Sequence, residues 1–264
     1  MSHSIIGVNE RPALTRWIPL SFQHVFAMFG ATVLVPMLTG LSPSAALFTA
    51  GSGTLLYILI TGAKVPAFLG SSFAFIPALI GIGGAYGMEY ALGGAVAAGV
   101  FYAIVAAIIK VSGTAWLDRV LPPVVIGSVI IVIGLNLAPT AMGMAMNDPD
   151  GVYSLVRLSI AAFTLLVAII ATIFFKGFFN VIPILIGLVS GYLFTLIMGM
   201  FFPAYKLISF DVVAKAPWFS LPTFMAPKFN LMAALTFIVV SLATICEHLG
   251  DVMVTSRVVG EDFY

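Results

Sequence analysis

Glu247 and Asp251 stand inside the long apolar stretch from Leu231 to Val254, in a chain that is otherwise almost free of charge. A charged side chain at bilayer depth costs a few kcal/mol, roughly 2.5–3.5 on the lenient insertion scale, so such groups face a cavity or a partner. Their i, i+4 spacing sets both acids on one helical face, one turn apart. Two acids held out of water titrate as a coupled unit, and at least one keeps its proton near neutral pH. That chemistry suits a transporter in which proton binding and substrate binding depend on each other. For Asp251 a plainer reading stays open, because it lies toward the segment's end, where Arg257 or water can answer it. His248 adjoins Glu247 but points about 100° away round a helix. It fits packing or support of Glu247 better than ligation.

The third apolar stretch holds the other candidates. It reads Pro66-Ala-Phe-Leu-Gly70-Ser71-Ser72-Phe73-Ala74-Phe75-Ile76-Pro77, and Gly70 and Pro77 bracket six residues. Pro77 disturbs a helix at the preceding turn, and Phe73 and Phe75 alternate about Ala74 with the period of an extended chain. A non-helical stretch at membrane depth persists only where it is buried in protein or lines a cavity, and interrupted segments mark the site of many secondary transporters. An extended, site-forming piece is the expectation here, against a simple proline kink. Phe73 then offers a ring on which a planar heterocycle stacks, and unpaired N–H groups at Ser72, Phe73 or Ala74 donate to its carbonyls. His24, in the run Ser21-Phe22-Gln23-His24, either orients this stretch through Ser71 or Ser72 or only ties two helices together.

The elements that position these groups follow from composition. Of 264 residues 61% are hydrophobic and 8% charged, against about 25% charged in a soluble domain. The chain is therefore an all-α polytopic membrane protein. Uncharged windows give eight segments, about 17–39, 43–62, 67–83, 90–111, 120–142, 156–175, 179–202 and 231–256, most of them near the ~20 residues that span a bilayer. Turn residues separate them at Gly40–Pro43, Gly62–Pro66, Gly81–Gly87, Asn147–Gly151 and Lys176–Gly177. Residues 203–230 form the one long loop, on the outer side. Arg11, Arg16, Lys64, Lys110, Arg119, Lys176 and Arg257 fall on the side of the N-terminus, which places residues 1–16 in the cytoplasm. Arg157, Lys206, Lys215 and Lys228 fall opposite. Residues 1–16 read as a cytoplasmic lead-in, not a signal peptide. Gly187 with Gly191, and Gly94 with Ala98 and Gly99, are small-residue packing faces. A single cysteine excludes an internal disulfide, and no basic patch points to nucleic acid. No zinc spacing, Walker loop, nucleophile elbow or dinucleotide fingerprint is present. No metal or cofactor is expected, and no enzyme activity.

Four stretches carry a resemblance. Ile6-Gly-Val-Asn-Glu10-Arg-Pro12, Gln23-His24-Val-Phe-Ala-Met-Phe-Gly30-Ala-Thr-Val-Leu-Val-Pro36, Gly70-Ser-Ser-Phe73-Ala-Phe-Ile76 and Cys246-Glu247-His248-Leu-Gly250-Asp251 resemble the nucleobase–cation symporter (nucleobase–ascorbate transporter) family, along essentially the whole chain. The resemblance implies fourteen segments in two inverted repeats of seven, of which this chain carries the first repeat plus segment eight. It implies a core domain built from residues 17–111 and 231–264, a gate domain built from 120–202, and short strands in segments three and ten. It implies that Glu247 accepts from the ring nitrogens of a nucleobase, that Phe73 is the strand aromatic, and that Asp251 is the polar residue one turn on. Ser72 and Ala74 would complete the substrate contacts, with Ser71, His24 and His248 in support.

The activity so implied is proton-coupled symport of uracil or a related nucleobase in the bacterial cytoplasmic membrane, with H⁺ as the coupling ion. The core rocks against the gate to carry both cargoes inside. A homodimer is left open. Uracil-transporting members carry His where this chain has Asp251, and purine transporters often carry Asp, so xanthine or urate is an alternative cargo. The chain stops at Tyr264, before the partner strand and the second binding glutamate, so on its own it is expected not to transport. Two further classes compete. An anion transporter or channel of related architecture uses the same broken helices, although a fixed carboxylate repels anions; a non-transporting fragment is the other.

Overall fold

The structure, a computed structural model, describes residues 10–113, 116–120, 122–148, 150–176, 179, 182–202, 207–218, 220–261 and 263. Ile6 to Asn9 of the first motif, Gly177 of the Lys176–Gly177 turn and Lys206 lie outside them. Ten α-helices are present among the described residues: α1 (Leu14–Thr39), α2 (Pro43–Ile60), α3 (Ile76–Tyr86), α4 (Met88–Ser112), α5 (Leu117–Val120), α6 (Pro123–Met146), α7 (Leu155–Phe174), α8 (Pro183–Phe201), α9 (Asp211–Lys215) and α10 (Leu231–Val259). Seven are long and apolar enough to cross a membrane: α1, α2, α4, α6, α7, α8 and α10. The eighth apolar segment is the third in sequence, and only its second half is an α-helix. The fold is all-α, with no strand among the described residues beyond an isolated antiparallel bridge between Asn147 and Tyr153.

The helix ends follow local chemistry. Ser42 caps α2, accepting from Ala45 N at 3.4 Å, and Pro43 opens the helix where its missing N–H is harmless. Ser154 caps α7 and Asn230 caps α10, each through a side-chain oxygen on a first-turn N–H. Gly87 alone joins α3 to α4, at φ 102°, a backbone conformation that a side chain would strain. Many long apolar side chains face outward (Ile60 is 83% exposed and Val111 90%), as expected of surfaces that meet lipid tails instead of water.

The chain divides into two compact units. The first comprises chiefly Met28–Asn136 and Pro222–Tyr264, and the second Ala13–Ala27 and Leu137–Leu221. Within the first, α10 packs along α4, and α3 packs against α4. Phe237 is fully buried there because Gly94 of α4 has no side chain: a Cβ at Gly94 would overlap the Phe237 ring and meet the Ala233 carbonyl at 3.0 Å. Ala98 is buried on the same face, whereas Gly99 has nothing within 4 Å and lies off it. The Tyr102 hydroxyl donates to Thr244 Oγ1 at 2.8 Å, a second tie between α4 and α10. At the start of α10, Lys228 donates its backbone N–H to the Glu89 carbonyl at 2.9 Å and pairs its ammonium with the Glu89 carboxylate.

Within the second unit, α7 and α8 pack against each other. Gly187 and Gly191 of α8 are buried against Ala168 and Thr164 of α7, and the Phe163 and Phe194 rings stack at 4.4 Å. The small-residue pairs read from the sequence are therefore contact faces, with Gly99 the exception.

Candidate functional site

The third segment begins without helix. Residues 64–72 carry only a bend and no regular structure, a 3₁₀ turn covers Phe73–Phe75, and α3 starts at Ile76. This differs in detail from an extended run over 70–77. The extended part ends at Ser72, and Phe73 and Phe75 sit on a turn, not on the two faces of a strand. Two residues account for the difference. Ser72 (φ −89°, ψ 130°) caps the turn by accepting the Ala74 N–H at 3.3 Å. Pro77 lies in the first helical turn of α3, where its fixed φ starts a helix and breaks none. The Ala74 N–H is thus already used. Among the described residues the N–H groups of Ser72 and Phe73 make no hydrogen bond.

The same serine reaches across to the eighth apolar segment. Its hydroxyl donates to Glu247 Oε2 at 3.4 Å, a long bond between residues 175 positions apart in sequence. Glu247 is half-buried near the middle of α10. The 3₁₀ turn packs on α10 as well, with the Phe75 ring stacked on Phe237 at 5.6 Å and 16°. Ser71, Ser72, Phe73 and Ala74 are all half-buried. Ser71 helps line a cavity of about 230 Å³ with Ala46, Thr49, Ala50, Leu69 and Gly70.

The remaining candidates are exposed. Asp251 follows Glu247 by one turn and is exposed, and His248 is exposed on another face of α10. His24 lies on the part of α1 that belongs to the second compact unit, and it is exposed. Among the described residues no group of three or more His, Cys, Asp or Glu could hold a metal ion. Three residues that serve this region were not singled out from sequence: Thr54, whose hydroxyl meets Leu69, and the Tyr102–Thr244 pair one turn before Glu247. Hydroxyls on apolar helices are common and mostly bond their own helix, so sequence offers no signal that distinguishes these.

A carboxylate beside open backbone N–H groups makes an acceptor–donor rim, and such a rim is complementary to a ring edge that presents N–H next to C=O. Interrupted membrane helices are the site architecture of many secondary transporters, and the fold is that of a polytopic membrane protein. The chain belongs to the permease family (Xan_ur_permease), which matches residues 15–264. It is 46% identical over 268 residues to the uracil permease of Bacillus caldolyticus and 47% identical over 268 residues to that of Bacillus subtilis (strain 168). It is 43% identical over 269 residues to the uracil permease of Escherichia coli (strain K12). These alignments cover 98–99% of this chain and 60% of each relative, so the chain spans about 60% of the length of the proteins it matches.

Proposed function

We propose that this chain serves proton-coupled uracil symport across the bacterial cytoplasmic membrane, with its N-terminus in the cytoplasm. The observation that carries the reading is the Ser72–Glu247 contact at the break in the third segment. It brings a carboxylate to a stretch of backbone with N–H groups to spare. Uracil has ring N–H groups flanked by carbonyls, so the carboxylate accepts from the ring while a backbone N–H of Ser72 or Phe73 donates to a carbonyl. Phe73 supplies a stacking face for the same ring. The identity to uracil permeases supports uracil as the cargo. Glu247, with Asp251 one turn on, holds the coupling proton. The grouping of α2, α3 and α4 with α10, and of α7 with α8, supports a core and a gate, with the division falling inside α1 after Ala27 and inside α6 after Asn136, so that α5 and the first half of α6 group with the core helices.

Glu247→Gln keeps the shape and removes the acceptor charge. In the full-length protein it abolishes measurable uracil binding by scintillation proximity. Unchanged affinity removes Glu247 from the site. Competition with xanthine and with sulfate in the same assay separates a pyrimidine site from a purine or an anion site.

A further inference from the structure

We infer that Thr54 of α2 is a positioning residue for substrate recognition: its hydroxyl takes the Leu69 N–H and so fixes where the unwound stretch presents Ser72 and Phe73 to Glu247. The inference rests on the uracil reading for its substrate and on its own geometry for the rest.

A threonine inside a helix usually gives its one hydroxyl proton to the carbonyl four residues back, which leaves the oxygen lone pairs facing outward. Thr54 does this, donating to Ala50 O at 2.7 Å. Its open acceptor side then takes the Leu69 N–H at 3.0 Å. The same hydroxyl also lies 3.3 Å from the Leu69 carbonyl, an alternative goal for its proton. Thr49 and Thr236 make the same back-bond on their helices, at 2.9 Å each, but no backbone N–H donates to them among the described residues. Thr54 therefore does for the unwound chain what a neighbouring strand does in a sheet: it answers a backbone group that has no helical partner.

The clamp lies close to the site. Leu69 is three residues before Ser72, a reach of about 10 Å at most for extended chain. Between them Gly70 is wedged, since a Cβ there would lie 3.1 Å from the Phe68 ring and 3.3 Å from Thr32 Oγ1. Thr32 is itself buried and donates to Met28 O at 2.9 Å. The stretch is thus pinned at Leu69, packed at Gly70 and bonded at Ser72. The stretch and α2 together line a cavity, with Ala46, Thr49 and Ala50 from the helix and Leu69, Gly70 and Ser71 from the stretch. That space gives the stretch somewhere to move once the Leu69 N–H is released. A shift there displaces Ser72 and Phe73 while leaving α2 and α10 as they are.

The test compares Thr54→Val, which keeps the side-chain shape and loses the hydroxyl, with Thr54→Ser, which keeps it. Both are made in the full-length protein in membrane vesicles. Loss of one half-buried hydrogen bond corresponds to a rise in KM for uracil of about twofold to tenfold. The expectation for Thr54→Val is that rise with Vmax held within about twofold, and for Thr54→Ser the unsubstituted value. Amide exchange read by mass spectrometry on purified protein tests the clamp without substrate: peptides over residues 65–72 exchange faster in Thr54→Val and not in Thr54→Ser. Equal KM in all three proteins overturns the inference. So does a fall in Vmax alone, or unaltered exchange in Thr54→Val. If the unsubstituted protein takes up no uracil while the exchange difference holds, the clamp stands and the uracil reading fails.

Discussion

Ser72 has one hydroxyl, and it is used in both directions: its oxygen accepts the Ala74 N–H and its proton goes to Glu247. Capping the 3₁₀ turn and holding the carboxylate are therefore one event at the level of this residue. Ser72→Ala removes both. The expected outcome is a loss of uracil affinity of about threefold to tenfold, the scale of one hydrogen bond to a charged group partly exposed to water. Ser72→Thr retains most of it. Without substrate the two groups still share one interaction, so in the Glu247→Gln background Ser72→Ala lowers the thermal midpoint little further. Midpoints of the four proteins in detergent check this, and full additivity would show that serine and acid act apart. Phe73 is tested by uracil binding. Phe73→Ala gives up a stacking face worth roughly 0.5–1.5 kcal/mol beyond area, a loss of affinity of up to about tenfold, with Phe73→Tyr near the unsubstituted value.

At the scale of the element, the contact of α4 with α10 decides whether Glu247 faces the broken segment at all. Gly94→Ala sets a methyl group into the Phe237 ring, so one helix must move, and overpacking of this kind costs typically 1–3 kcal/mol. Gly99→Ala, on the same helix with nothing within 4 Å, is the matched control and is expected to be neutral to slightly stabilising, since alanine loses less backbone freedom than glycine. Thermal aggregation midpoints in detergent distinguish the two; equal midpoints would mean that α4 and α10 do not pack as described. The tie at the start of α10 behaves differently. The Glu89 carboxylate, bonded to Lys228, holds its ammonium above the usual lysine range. A raised pKa means that this contribution is whole below the free lysine value of 10.5 and fades only as pH rises through the higher folded value. Stability should therefore show no dependence on this pair from pH 6 to 9. Glu89→Gln should have a small effect, because both side chains are partly exposed and the Lys228 N–H to Glu89 carbonyl bond survives.

These elements differ in how far sequence reveals them. The eight apolar windows and the Gly187–Gly191 and Gly94 faces follow from local composition, and helix ends fall within a few residues of the turn chemistry. Helix α10 was legible down to its two acids, because a carboxylate in an apolar run is costly wherever it folds. The broken segment was legible as a break but not in its geometry. Pro77 has two outcomes, kinking a helix or starting one, and Ser72 decided between them by capping a turn that periodicity read as extended. The Thr54–Leu69 and Tyr102–Thr244 bonds were not legible at all. Each joins a common residue type to a partner that only tertiary packing brings near.

For the whole molecule, orientation in the bilayer sets which side proton and substrate enter from, and the charges argue for one direction. In the eight-segment reading Arg16, Lys64, Lys110, Arg119, Lys176 and Arg257 fall on one side of the membrane, and Arg157, Lys215 and Lys228 on the other. Basic residues in short loops resist translocation, so the richer side is expected to stay in the cytoplasm. The chain offers a clean way to test this. Its one cysteine, Cys246, is buried in α10 at 5% exposure, so a membrane-impermeant maleimide has little to react with in the unsubstituted chain. Lys64→Cys, in the turn after α2, should label only when the membrane is permeabilised. Lys215→Cys, at the end of α9, should label in intact cells. The two positions are exposed in the structure and on opposite sides in this reading. Because α2, α3 and α4 form three successive passes of which α3 is only half a helix, the pair also tests whether the broken segment crosses. If it turned back without crossing, every later helix would invert and Lys215→Cys would be protected like Lys64→Cys. Protection of both would overturn the eight-segment topology, and with it the route by which a proton from outside reaches Glu247.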